Sequence, residues 1–169
     1  MDYSVEYSKR KTLSLRVKEG KVMVKAPFGT PKYTIISFVD SHIDWIESAI
    51  YRTKKMAERF SGLSDSDIER LKAEAKNYFT ERVEYYSRIM KVSPSSVKIT
   101  SAKTRFGSCN SRGNICFSYR LMLFPIEARD YVVVHELAHL YEMNHSKQFY
   151  RIVASVMPDY MERKKLLKN

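Results

Sequence analysis

Residues 135–146 read His135-Glu136-Leu137-Ala138-His139-Leu140-Tyr141-Glu142-Met143-Asn144-His145-Ser146, a stretch holding three of the chain's four histidines. Residues four apart on a helix share a face, with Cβ atoms about 5–6 Å apart. Two imidazole nitrogens at that separation can reach one zinc ion at about 2.0–2.1 Å each, so His135 and His139 are read as metal ligands. Glu136 sits beside them around the helix, placed to take a proton from water without being a ligand. A zinc site that does chemistry usually keeps three protein ligands and one open position. His145 lies six residues past His139, and on an unbroken helix it would stand about 9 Å further along the axis. The helix must therefore stop first. We expect it to run to about Met143, with Asn144 in the left-handed conformation of a helix end and Ser146 capping the next helix. Glu142, seven residues after His135, is the rival third ligand. His145 is preferred because three neutral imidazoles form a known catalytic zinc set.

Zinc lowers the pKa of a bound water from 15.7 to about 7. The expected chemistry is hydrolysis, with Glu136 as general base. Arg105 is the candidate for steadying the developing negative charge, with Tyr141 and Tyr150 behind it. His42, alone on an N-terminal helix, is read as structural.

Working outward, Val132-Val133-Val134 precede the motif, and Pro125, Glu127 and Asp130 mark the start of its helix. Upstream, Val97 to Ala102 and Ile115 to Leu121 read as strands separated by a turn-rich loop, Gly107 to Asn114. A long helix with Ile68, Leu71, Ala75, Tyr78, Val83, Tyr86 and Met90 on one stripe is expected after Ser64 or Ser66. Another is expected from Pro31, with Thr30 as N-cap and Ile35, Val39, Ile43, Ile46 and Ile50 at spacings of three and four. These two helices are expected to form an antiparallel pair. Leu13 to Val17 and Val22 to Ala26 alternate around Glu19-Gly20, a β-hairpin, with Tyr3 to Tyr7 as a third strand. Strands, helices, strands, then helices make an α+β order. Two parts are expected, 1–60 (hairpin and helix) and 61–169 (metal-binding catalytic region), forming one compact body.

The composition is that of a globular chain: 44% hydrophobic, 29% charged, net charge +11 over 169 residues. No acidic residue lies between Glu84 and Glu127, while Arg88, Lys91, Lys98, Lys103, Arg105, Arg112 and Arg120 do. That basic 85–126 stretch suits nucleic-acid contact or simply a solvated surface. No apolar run approaches the ~18 residues of a membrane span. The N-terminus lacks signal-peptide regions, and two cysteines make no disulfide framework, so a cytoplasmic location is expected.

The runs Thr104-Arg105-Phe106-Gly107-Ser108-Cys109, Ser111 to Ile115, Asp130 to Val133, His135 to His139, Asn144-His145-Ser146 and Met157 to Tyr160 resemble the YgjP-like metallopeptidase family, relatives of the SprT-like and WLM zinc proteases. Phe106 and Tyr150 stand where that family usually has tryptophan. The resemblance implies a zincin-like C-terminal half with a small sheet and the H-E-x-x-H helix. It also implies the three histidines as ligands of Zn²⁺ or another divalent transition metal, and Glu136 as catalyst. It implies a peptide substrate, bound along a cleft bordered by the glycine-containing loop and the strand after it. The same resemblance carries a second activity, nucleoside triphosphate (UTP) pyrophosphohydrolysis, with Lys103, Arg105 and Arg112 on the phosphates. A nucleic-acid-binding module with structural zinc is the third reading, Cys109 being its fourth ligand. Otherwise Cys109 is a redox gate or a packed residue.

Overall fold

The computed structural model describes residues 2–168. They form two compact units, one ending at Ser61 and one beginning at Gly62, each with its own hydrophobic core. Strands and helices segregate along the chain rather than alternating, so the architecture is α+β, as expected.

In the first unit, β1 (Tyr3–Ser8), β2 (Ser14–Lys18) and β3 (Lys21–Pro27) make a sheet in the order β1-β3-β2. β2 and β3 are the expected hairpin. Its two-residue turn needs positive φ at both positions, and Glu19 (52°) and Gly20 (75°) supply it. β1 joins β3 in parallel. Alternation on β3 buries Val22, Val24 and Ala26 against Ile35, Val39 and Ile46. The single helix expected from Pro31 is in fact two, α1 (Lys32–Asp40) and α2 (Ile43–Phe60). The break falls at Ser41-His42, whose side chains turn back on the helix end: Ser41 Oγ donates to the Phe38 carbonyl (2.9 Å), and His42 Nδ1 lies 2.8 Å from the same oxygen. Polar side chains that satisfy end carbonyls compete with helix continuation, which apolar periodicity alone does not reveal. Thr30 is not the N-cap either. Pro31 holds that position, and Thr30 Oγ1 donates to the Pro27 carbonyl.

The second unit opens with α3 (Asp65–Met90), started by a capping box in which Ser64 and Asp67 satisfy each other's backbone N–H groups. Its stripe of Leu71, Ala75, Phe79, Val83, Tyr86 and Met90 is buried. β4 (Ser96–Thr100), β5 (Gly107–Cys109) and β6 (Asn114–Ser118) form a sheet in the order β4-β6-β5. Phe117 on β6 stacks on Phe79 of α3 at 4.6 Å. Two expectations change here. Gly107-Ser108-Cys109 is an edge strand, not loop, pairing antiparallel with β6. The last strand stops at Ser118 instead of Leu121, because Ser118 Oγ accepts the Arg120 N–H and starts a 3-10 helix, Tyr119–Leu123.

Three helices close the unit: α4 (Ile126–Ala138), α5 (Lys147–Val156) and α6 (Tyr160–Leu166). α4 packs against α3, β5, α5 and α6. It is therefore buried on most sides, nine of its residues from Ala128 to Ala138 being inaccessible. Asp130, read from the sequence as a carboxylate favoured by the helix dipole, is instead 4% exposed and fully engaged. It accepts from Tyr78 Oη (2.7 Å), Arg82 Nε (2.9 Å) and Tyr86 Oη (3.1 Å), and pairs with the second Arg82 nitrogen at 2.6 Å. A buried carboxylate is tolerable only with such satisfaction, and here it ties α4 to α3.

Candidate metal centre

α4 ends at Ala138, five residues before the expected Met143. The last turn tightens to 3-10 spacing, Leu140 N–H to Leu137 O and Tyr141 N–H to Ala138 O, both 3.0 Å. Asn144 is not left-handed: among the described non-glycine residues only Glu19 and Lys91 have positive φ. The reversal is built by Glu142 instead. Its carbonyl accepts His139 Nδ1–H at 3.0 Å, and its carboxylate accepts the Asn144 N–H at 3.2 Å. Ser146 then caps α5 by accepting the Phe149 N–H at 3.2 Å, as expected.

The outcome is convergence. Nitrogens of His135, His139 and His145 all lie within 4.8 Å of one another, and Nε2 of His145 is 2.9 Å from Nε2 of His135. Phe149, fully buried on α5, lies against all three rings with centroids at 4.5–4.9 Å. This apolar support holds the rings in place. Glu142, the rival ligand, is spent on the turn and stands outside the cluster.

Tautomers follow from the outer partners. His139 Nδ1 donates to a carbonyl, which leaves its Nε2 lone pair free. His135 Nδ1 lies 3.3 Å from Tyr131 Oη, one turn earlier on α4, with Nε2 turned toward His145. Burial, then the neighbouring His139 and His145, pushes the His135 pKa down to about 3. Burial likewise lowers His139. Three imidazoles with converging nitrogens fit a borderline-soft divalent cation of the zinc type. Among the described residues no thiol or carboxylate completes the cluster to four, which is the donor count of an open site.

Glu136 is 5% exposed, and burial raises its pKa to about 8, with Arg105 opposing the shift. Its side chain lies directly against Gly107 on β5. A Cβ at Gly107 would come within 2.8 Å of Glu136 Cγ and Cδ and overlap Oε1. Glycine there is demanded by space, and it brings the backbone of an edge strand against the Glu136 carboxylate. A cleft of about 310 Å³ runs beside it, lined by Phe106, Gly107, Tyr131, His135, Glu136 and the C-terminal Lys164 and Lys168, among others.

Arg105 is exposed and lines a smaller neighbouring cavity with Ser108 and Cys116, reaching Glu136 through charge alone. Tyr141 turns away, its hydroxyl donating to the Met90 carbonyl at 2.6 Å. Tyr150 stays near, its ring 6.3 Å from that of His145. Lys103 and Arg112 do not line the cleft; Arg112 sits in the β5–β6 turn, its N–H donated to Asn110 Oδ1. Cys109 is outside the cluster, and burial followed by the Glu136 charge raises its thiol pKa to about 11, opposite to what a reactive gate needs. Tyr131 and Lys164 were missed as site residues. The i, i+4 spacing of Tyr131 from His135 was the available signal for the first, whereas nothing local marked the second.

Comparison with known proteins agrees with this picture. Residues 63–169 match the family model described as YgjP-like, metallopeptidase domain. The solved structure of the metallopeptidase zymogen of Pyrococcus abyssi abylysin is similar at 25% identity, over 52% of this chain and 89% of that one, with a TM-score of 0.47. Comparison with curated proteins returns no match.

Proposed function

Because the chain belongs to the YgjP-like metallopeptidase family, we propose that it hydrolyses peptide bonds with a divalent metal, zinc in the first instance, held by His135, His139 and His145. The observation that carries this reading is the meeting of three imidazole nitrogens beside a buried glutamate pressed on an edge strand. Such an ion supplies Lewis acidity, polarising the scissile carbonyl and making a water acidic near neutral pH. The residues do the rest. β5, with no strand on its outer edge among the described residues, takes an extended peptide by strand addition. Glu136 accepts a proton from the attacking water as the oxygen–carbon bond forms. It delivers that proton to the amide nitrogen as the carbon–nitrogen bond breaks. Arg105 is assigned to steady negative charge on the carbonyl oxygen.

Purified protein is incubated with a panel of unfolded proteins, with and without chelator, and its metal content measured. Chelator-sensitive cleavage is expected. Glu136→Gln should lower it by about 10²–10⁴-fold while metal stays bound. Cleavage that ignores the chelator, or a Glu136→Gln variant as fast as the parent, overturns the proposal.

A further inference from the structure

We propose that the cleft beside Glu136 selects substrates bearing a carboxylate, which Lys164 and Lys168 receive; this deepens the peptide-hydrolysis reading and rests on it. α6 and the turn after it carry four basic residues, and the fold divides them into two pairs. Arg163 Nε donates to Asp159 at 2.9 Å, and Lys165 Nζ to Glu162 at 2.8 Å. Lys164 and Lys168 form no ion pair among the described residues, and both line the cleft instead. They lie four apart, and the helical path between them continues through 3-10 bonds, Leu167 N–H to Lys164 O and Lys168 N–H to Lys165 O. Both residues thus border the same cleft.

The remainder of the cleft explains what they are for. Phe106, Tyr131 and Leu167 give apolar walls, and among the described lining residues the one carboxylate is Glu136, which is buried and assigned to the chemistry. Lys164 is held in position over the Tyr150 ring, its Nζ 5.3 Å from the centroid. Two cations beside an apolar wall, with no ion-pair partner among the described residues, favour an anionic group. On a peptide that group is an Asp or Glu side chain or the C-terminal carboxylate.

The test uses the full-length, metal-loaded protein and fluorogenic peptides of matched sequence. Each carries Glu, Gln or Lys at successive positions around the scissile bond, with the C-terminus free or amidated. We expect kcat/KM to be higher by about tenfold or more for the acidic member at one position, or to fall by as much on amidation, the two arms separating side chain from terminus. The preference should shrink as salt is raised. Joint Lys164→Glu and Lys168→Glu substitution should invert it toward the Lys peptide, with metal stoichiometry reporting an intact centre. Should that double variant fail to fold, Lys168→Gln, at an exposed position, should weaken the acidic preference. Equal rates across the charge series overturn this inference alone. An acidic preference that survives both lysine variants overturns the assignment to these residues. Cleavage of no peptide at all overturns it together with the function proposed above.

Discussion

The burial of Glu136 costs stability. In the metal-free protein, burial raises its pKa from an ordinary 4.5 to about 8. Below pH 4.5 the native and unfolded chains both hold the proton, and the site costs nothing. As pH rises from 4.5 to 8 the unfolded chain releases it while the native chain keeps it, so stability falls through that window. Glu136→Gln removes the loss. Metal-free Glu136→Gln should match the parent near pH 4.5 and exceed it at pH 8 by on the order of 3 kcal/mol. Denaturant titrations at several pH values measure this, and parallel stability profiles would contradict it. The residue type and its neighbours were legible from H-E-x-x-H spacing. The closeness of Gly107 was not, because a contact across some thirty positions has no local signature.

Elements set where those residues point. α4 is held to α3 by one carboxylate, Asp130, that accepts from Tyr78, Arg82 and Tyr86. Asp130→Ala leaves Arg82 without its partner in a partly buried place, a change that typically costs about 3–5 kcal/mol. A double-mutant cycle with Arg82→Met should show strong coupling, and additive effects would refute the pairing. Helix ends were the hardest feature to read. Periodicity alone runs α1 through Ser41-His42 and α4 on to Met143, whereas Ser41 turning back on the Phe38 carbonyl and His139 reaching forward to the Glu142 carbonyl mark earlier ends. The glycine, serine and cysteine of β5 lack strand propensity and read as loop, and its pairing with β6 comes from tertiary context.

Across the whole molecule, the metal should be a folding ligand as well as a catalyst. Its three donors come from two separate elements, α4 and the turn before α5, so the unfolded chain offers no comparable site. Free ion at a hundredfold excess over Kd should stabilise the native state by about 2.7 kcal/mol. Differential scanning calorimetry with added zinc should show a rise in Tm that His145→Ala abolishes. An unchanged Tm would contradict preferential binding of the ion to the native chain. No helix among the described residues is long and apolar enough to cross a membrane. Family, α+β class and the three histidines could all be read along the chain, because motif spacing and hydrophobic period are properties of neighbours in sequence. The pressure of Gly107 on Glu136 and the placing of Lys164 and Lys168 along the cleft emerged only on folding. Each joins groups distant in sequence, and packing, not local propensity, selects which of them meet.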